Sequence, residues 1–312
     1  MHIYKTKLQQ TNTIPTQLEI LQILQHRKYT TSQQNYLYQR LQAGRNGENA
    51  VIEFINRYGK NHWLGIQNLW LNYNNNFEID LLLMSRNTCY LFEIKNYNGK
   101  FVYQDGSCYL NDVLLSNNCV SQAVKTYTNF KNLMKDLSPK IKVKGAIIFI
   151  GEHNEVNIKS NISHIEVIRR YELKNYLENI SKNESQFSQN ISPKSIIRFI
   201  ENKETTNPYS PTPLDPEELT YLHKGIYCEK CKSFDINIYK YYITCACGWS
   251  EEREKATLRT IEEYCALNYD KNIKRSNIEE FINYQASDKY VLNILKKNFT
   301  MINKNKFTYY KK

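Results

Sequence analysis

Acidic residues interrupt two apolar segments joined by a short turn, and this pattern constrains the fold more than any other part of the 312-residue chain. The segments FEIDLLLM and CYLFEIK flank the turn at residues 85–88 and read as β-strands. A symmetric hairpin about this turn pairs residues whose numbers sum to 173, so Asp80 faces Glu93. Directly opposed residues have Cβ atoms about 5 Å apart, and like charges there are destabilising. The pattern predicts that a positive group lies between the two carboxylates.

Lys95 is predicted to lie on the same face as Glu93, because side chains alternate along a strand. A hard cation such as Mg²⁺ takes oxygen ligands from one or two carboxylates, so this arrangement suits it. Lys95 then steers or deprotonates a water that attacks a phosphate. The alternative is that Lys95 simply pairs with Glu93 or Glu78 on an exposed face. Large apolar residues on both faces of FEIDLLLM favour a sheet that is covered on both sides.

The flanking segments predict a mixed α/β core with the order helix, three strands, helix, strand. Apolar residues at helical spacing indicate helices at residues 44–59 and 118–137. The apolar run at 144–151 reads as a buried strand. Asp105-Gly106 marks a tight hairpin between two short strands.

Four segments resemble the nuclease-related (NERD) family of the PD-(D/E)XK nuclease superfamily, and they occur in that family's order. They are GRNGENAVIEFI, FEIDLLLM, LFEIKNYNGKF and NNCVSQAVKTY, which together cover about residues 44–151. The most specific part is the continuation of Glu-x-Lys into Lys-Asn-Tyr-x-Gly. The resemblance implies a restriction-endonuclease-like α/β core that cleaves nucleic acid, most readily DNA, with Mg²⁺ or Mn²⁺. It also suggests a setting in defence against foreign DNA or in DNA repair.

The resemblance implies a role for each matching residue of the site. Asp80 and Glu93 would be metal ligands, with the carbonyl of Ile94 as a third ligand, and Lys95 would be the catalytic lysine. Gln122, at the start of the second long helix, would bridge Lys95 and a phosphate. Without the resemblance, Gln122 is an ordinary exposed residue.

Glu48 corresponds to the acid of the family's first helix. It lies about one turn before apolar residues of that helix and so points toward the sheet, with Gly44 and Gly47 letting the backbone approach closely. The alternative is a first-turn carboxylate that the helix dipole favours. The sequence departs from the family at Leu81, where a histidine is frequent, and at Cys119, where a proline is.

A second metal site is predicted by two cysteine pairs that thirteen residues separate. Their spacing, C-x2-C and C-x-C, is that of a zinc ribbon with structural Zn²⁺ bound by four thiolates: Cys228, Cys231, Cys245 and Cys247. The second pair has one spacer residue rather than the commoner two, so Cys265 or His223 is an alternative fourth ligand. The other alternative is four unrelated buried cysteines.

The formal net charge of +11 is concentrated near the C-terminus, where residues 255–312 hold 12 Lys/Arg against 6 Asp/Glu. Such an excess favours polyanions, although a solvated basic tail explains it too. Three helices followed by a short hairpin resemble a winged-helix module there; a small helical domain for protein contacts is the alternative. The predicted divisions are a helical arm (1–43), a nuclease domain (44–203), a Pro-rich linker (204–220), a zinc ribbon (221–254) and a basic helical module (255–312).

The N-terminal sequence has no apolar signal segment, and no stretch reaches the roughly 18–20 apolar residues of a membrane span. We therefore expect a cytoplasmic protein that acts on nucleic acid, without a membrane partner and compatible with a protein partner or homo-oligomer. The leading hypothesis is a metal-dependent deoxyribonuclease. The competing hypothesis is a non-catalytic nucleic-acid-binding or scaffold protein on a nuclease fold.

Overall fold

The computed structural model describes residues 1–11, 14–86, 88–184, 193–304 and 307–311. They form two compact units. The first contains residues 1–12 and 40–208, and the second contains residues 13–39 and 209–312. None of the eight cysteines, all of which lie in the described part of the chain, forms a disulfide bond.

The described part of the chain forms both strands and helices. The strands are β1 (His2–Ile3), β2 (Leu64–Tyr73), β3 (Asn75–Ser85), β4 (Thr88–Lys95), β5 (Gly99–Gln104), β6 (Ser107–Leu110), β7 (Val113–Leu114), β8 (Lys142–Phe149), β9 (Asn154–Ile158), β10 (Ile165–Arg169), β11 (Ile236–Ile238), β12 (Tyr242–Cys245), β13 (Ser250–Glu252), β14 (Thr300–Lys304) and β15 (Phe307–Lys311). The helices are α1 (Lys7–Thr11), α2 (Gln17–His26), α3 (Ser32–Tyr58), α4 (Cys119–Leu137), α5 (Leu173–Asn183), α6 (Pro193–Glu201), α7 (Pro216–Tyr221), α8 (Arg253–Leu267), α9 (Arg275–Phe281) and α10 (Asp288–Asn298).

A six-stranded mixed sheet with the order β1-β2-β3-β4-β8-β10 is the centre of the first unit. β2, β3 and β4 are antiparallel neighbours, whereas β4, β8 and β10 run parallel. Apolar clusters lie on both sides of the sheet. One includes residues of α4, and the other includes residues of α3 and α5. The prediction of a mixed α/β core covered on both faces is therefore confirmed, and the site lies within this doubly covered sheet.

The β3–β4 hairpin has the predicted register. The pairs run from Ser85 with Thr88 to Leu81 with Phe92, so their numbers sum to 173. Arg86 adopts a positive φ of 48° in the turn. The other turn residue, Asn87, lies outside the described residues. The ladder ends at the Leu81–Phe92 pair, one pair before Asp80 and Glu93.

The second hairpin also follows its sequence signal. Both Asp105 and Gly106 have positive φ, 49° and 76°. A tight two-residue turn of this kind requires that conformation at both central positions. β5 and β6 join β7 and β9 in a separate four-stranded sheet with the order β7-β6-β5-β9.

Helix α3 differs from the prediction because it begins at Ser32 rather than near Gly44. The preceding residues are rich in Gln, Leu, Ala and Arg, which are good helix formers, so nothing in the sequence stops the helix at the glycine. Glu48 consequently lies in the middle of a 27-residue helix. The alternative reading of Glu48 as a first-turn carboxylate is therefore wrong.

The second unit contains α2, α7 to α10 and two small sheets, β11-β12-β13 and β14-β15. Arg27, which follows α2, is completely buried and donates to Glu263 of α8 at 2.7 Å and 3.0 Å. The three helices α8 to α10 and the final two-stranded sheet occur in the predicted order. Asn305, predicted to join those two strands, lies outside the described residues.

The two units of the structure do not follow the predicted domain boundaries at the N-terminal arm and at the Pro-rich segment. Residues 13–39 cluster with the second unit, where four apolar residues of α2 are buried. The Pro-rich segment contains the division between the units, at Pro208. Beyond it, the Pro211 carbonyl accepts from the Tyr269 hydroxyl, and Leu214 is buried. The described helices include none with the length and apolar character needed to cross a membrane.

Candidate active site and metal centre

The site is centred where β3 and β4 separate. The Ile94 N–H donates to Asp80 Oδ2 at 2.8 Å, so a side chain replaces the next backbone acceptor of the ladder. Within a strand, the N–H and C=O of one residue point to the same edge. The Ile94 carbonyl is therefore directed to the side on which Asp80 lies. The proposed role of this carbonyl as a third metal ligand requires that direction.

Glu93 and Lys95 form the adjacent ion pair. Lys95 Nζ lies 2.6 Å from Glu93 Oε1, and Glu93 is only 5% exposed. Burial, followed by the charge of Asp80, raises the pKa of Glu93 to about 7. Burial alone would lower the pKa of Lys95, but the charges of Glu93 and Asp80 raise it overall. The buried position of Glu93 argues against an ordinary surface ion pair.

Glu48 reaches the cluster because α3 packs closely on the end of β4. An ideal Cβ at Gly47 would lie 2.6 Å from the Cβ of Asn96, and Asn96 Nδ2 donates to the Ala43 carbonyl at 2.8 Å. The expected close approach is thus confirmed at Gly47. It is wrong at Gly44, where an added Cβ would meet no described atom within 4 Å.

The carboxyl group of Glu48 lies in a strongly acidic environment. Burial, followed by the charge of Asp80, raises the pKa of Glu48 to about 7. Arg45 offsets part of this effect, with its Nε 3.8 Å from Glu48 Oε2. That same oxygen is buried and has no hydrogen-bond partner within the described part of the chain. An unsatisfied buried acceptor of this kind favours a bound cation.

Glu78 is a member of the cluster that the sequence-based prediction did not assign to the site. Burial, followed by the charges of Asp80 and Glu48, raises the pKa of Glu78 to about 7. It pairs across β2–β3 with Trp70. The available signal was its separation from Asp80 by two residues on one strand, together with its acidity within an apolar segment.

Four carboxyl groups therefore influence one another around one lysine. For Asp80 itself, burial raises the pKa, while Lys95 and the Ile94 N–H oppose that rise. Burying several like charges is costly unless a cation compensates them. The donor set consists of carboxylate and carbonyl oxygens, which Mg²⁺ and Mn²⁺ prefer. The residues present therefore fit a hard divalent ion.

The comparison with family models matches residues 43–150 to the nuclease-related domain. This part of the chain is similar to NERD domains. The match includes the part of α3 that follows residue 43, the strands β3 and β4 that hold the acidic cluster, and α4. Comparisons with curated proteins and with solved structures found no match.

The sequence analysis also singled out Gln122, Leu81 and Cys119, and their surroundings differ from those of the acidic cluster. Gln122 is exposed in the first turn of α4, and its N–H donates to the Asn118 carbonyl. Leu81 is fully buried in the apolar cluster that includes α3. Cys119 is buried with its Sγ 4.0 Å from Cys108 Sγ. The last two residues therefore pack in the interior.

The four cysteines of the second predicted site converge in the second unit. Their Sγ atoms all lie within 4.8 Å of one another. The distance is 3.5 Å for Cys231–Cys245 and 3.7 Å for Cys228–Cys247. A tetrahedral ion with Zn–S bonds of about 2.3 Å separates its sulfurs by about 3.8 Å. The cluster fits a four-thiolate zinc site, and the alternative of four unrelated buried cysteines does not apply.

Each cysteine pair lies on a tight turn. The residue directly after each pair, Lys232 or Gly248, adopts a positive φ, 61° and 82° respectively. The β11–β12 hairpin connects the two turns. The alternative ligands are not in the group of four: His223 stacks on Phe234 at 4.0 Å between ring centroids, and Cys265 lies buried in α8.

Proposed function

We propose that the chain is a divalent-metal-dependent nuclease that hydrolyses phosphodiester bonds, with DNA as its preferred substrate. The observation that carries this proposal is the convergence of Asp80 and Glu93, from a doubly covered sheet, and of Glu48, from α3, on Lys95. A structural role alone would not require so many buried carboxyl groups around a single lysine. The NERD match to the same residues supports the same reaction class.

In this proposal, Asp80, Glu93 and the Ile94 carbonyl hold the divalent ion. Such an ion, when bound, lowers the pKa of a water and neutralises negative charge that builds up on a phosphate oxygen. The Ile94 N–H fixes Asp80 Oδ2, so that carboxylate is held in one orientation. A ligand held in this way loses little conformational freedom when it binds.

Lys95 and the two remaining residues position the other reactants. Lys95 Nζ lies beside Glu93 Oε1, from which it orients the attacking water. Because the pKa of Lys95 is raised, the side chain stays protonated and acts as a hydrogen-bond donor rather than as a base. The carboxylate of Glu48 lies on the α3 side of the cluster, and its Oε2 has no hydrogen-bond partner among the described residues. Gln122, exposed at the beginning of α4, bridges Lys95 and a substrate phosphate.

We assign the second unit a binding role rather than a catalytic one. Four thiolates complete the coordination of Zn²⁺ and leave no open position for water, which is typical of a structural site. Zinc there would hold the two cysteine turns together.

The test is cleavage of linear and circular DNA, with RNA in parallel, by the purified full-length chain in Mg²⁺, Mn²⁺ or no added metal. We expect cleavage that needs the added ion and that Glu93→Gln abolishes. Glu166→Gln is the matched control, because Glu166 is exposed on β10 of the same sheet. Cutting of circular DNA identifies an endonuclease.

DNA binding without cleavage in every metal would contradict the proposal and favour the non-catalytic alternative. Preferred cutting of RNA would contradict the assignment of DNA while leaving the reaction class intact.

A further inference from the structure

A basic cleft of about 600 Å³ lies within the second unit. It is bordered by the beginning of α9, one side of α10, and the β14–β15 sheet. Its volume falls within the roughly 300–1,000 Å³ that is usual for ligand sites in proteins. The lining residues are Lys274, Arg275, Ser276, Leu292, Lys296, Met301, Thr308, Tyr309 and Tyr310.

The cleft carries positive charge without a matching set of acids. Three of its lining residues are cationic, and none of the lining residues that the structure describes is acidic. Arg275 is partly compensated by Glu279 at 3.0 Å and Asp288 at 3.8 Å. Lys296, in contrast, is exposed and makes no ion pair with a described residue. The uncompensated charge favours an anionic ligand.

The apolar and aromatic part of the lining, called the floor below, has the opposite character. It includes Leu292, Met301 and Tyr309, and Met301 is 45% exposed although it is a large apolar residue. Lys274 Nζ lies 6.0 Å from the centroid of the Tyr309 ring, at the limit of a cation–π contact. A ligand that matches this cleft carries both negative charges and flat apolar surfaces.

We propose that this cleft binds a short stretch of single-stranded nucleic acid, with phosphates on Lys274 and Lys296 and a base on the Tyr309 and Met301 floor. Single-strand sites combine a basic groove with aromatic platforms in this way. A duplex offers the phosphates but keeps its base faces stacked internally, so it leaves the floor without a partner. The chemistry of the cleft alone indicates this class of ligand. Binding in the cleft therefore does not depend on the proposed hydrolysis.

Two adjacent lysines of α10 provide a matched pair of variants. Lys296 lines the cleft, whereas Lys297 pairs with Glu254 at 2.5 Å. Replacing either by alanine removes the same charge from the same helix. A difference between the two variants therefore reports the cleft rather than the overall charge of the protein.

The experiment measures binding of a fluorescent thymidine oligonucleotide to the full-length chain by anisotropy. Glu93→Gln serves as the background, with no added Mg²⁺ or Mn²⁺ and with zinc left in place, so that the probe stays intact. We expect Lys296→Ala and Tyr309→Ala each to weaken binding about fivefold or more. Lys297→Ala should change it less than about twofold, in keeping with an exposed surface charge. Thermal melting of each variant checks its fold.

The salt dependence gives a second readout. Loss of one phosphate contact lowers the slope of log affinity against log salt by about 0.7 for a single strand. We expect this decrease for Lys296→Ala and an unchanged slope for Lys297→Ala.

Three results would overturn the inference: equal effects of Lys296→Ala and Lys297→Ala, tighter binding of duplex than of single strand, or displacement of the oligonucleotide by an acidic peptide at a lower concentration than by unlabelled oligonucleotide. Because cleavage is measured separately on the wild-type chain, none of these outcomes bears on the proposed nuclease reaction.

Discussion

The two candidate metal sites differ in how the surrounding structure holds their ligands. The carboxylate cluster lies within a six-stranded sheet that apolar clusters cover on both sides. The cysteine cluster lies on two turns of a small three-stranded sheet, with Cys231 and Cys247 exposed. The first site is held in place by a large core, whereas two of the four ligands of the second are exposed on turns.

This difference indicates what each ion would contribute. A core that folds without metal can hold several repelling carboxylates close together, at a cost in stability that a functional site commonly carries. A small thiolate site takes much of its folding free energy from the ion itself. Removing metal should therefore affect activity at the first site and structure at the second.

The largest expected effect is the loss of structure around the cysteines when zinc is removed. Structural zinc contributes about 10–16 kcal/mol of apparent binding free energy in zinc-finger peptides. We expect Cys231→Ser to lose the bound zinc and to increase amide hydrogen exchange across residues 226–252, while the first unit keeps its protection. Cys265→Ser is the control and should retain one zinc per chain. Unchanged exchange in Cys231→Ser would show that the two sites do not differ as described.

The next effect is on catalysis. Glu93→Gln should lower metal-dependent cleavage by at least about 100-fold, because it removes a charged ligand. Its Tm should stay the same or rise, because one of the mutually repelling buried carboxylates becomes neutral while glutamine keeps the size of the side chain. Cleavage rates and thermal melting together measure both changes. A large fall in Tm would instead make Glu93 a structural residue of the sheet.

A smaller decrease is expected at Glu48. Glu48→Gln should reduce cleavage about 10- to 100-fold, the range for residues that support a metal site from beside its ligands. Glu53→Gln is the matched control, since Glu53 is exposed on the same helix. Equal rates for the two variants would remove Glu48 from the site.

The smallest effect is expected at Gln122. Loss of one neutral hydrogen bond to a substrate phosphate corresponds to about 0.5–1.5 kcal/mol, or about two- to tenfold. We expect Gln122→Ala to change KM or kcat within this range, and Ser121→Ala to leave both unchanged. Steady-state cleavage kinetics measure the difference, and a change much larger than tenfold would assign Gln122 a more direct role.

Much of this arrangement was predictable because local signals determine it. The four-residue turn sets the β3–β4 register, which brings Asp80 to the level of Glu93. The cysteine spacing likewise predicts a four-sulfur cluster. These features depend on residues close in the sequence, where turn geometry and strand alternation act directly.

The remaining features depend on tertiary packing. The sequence does not indicate that the strands separate at Asp80 or that its carboxylate accepts from the Ile94 N–H. Glu78 is also influenced by the charge of Glu48, and only tertiary packing brings Glu48 of α3 close to a residue of β3. The beginning of α3 was missed because a helix passes through glycines when its other residues and its packing favour it.

The most direct test of the account is Mn²⁺ binding to the zinc-loaded chain, followed by electron paramagnetic resonance. We predict a Mn²⁺ site in the wild type and in Glu166→Gln, weakened at least about tenfold in Glu93→Gln, with the zinc content unchanged in all three. Equal Mn²⁺ binding by wild type and Glu93→Gln would contradict the assignment of the carboxylate cluster as the metal site.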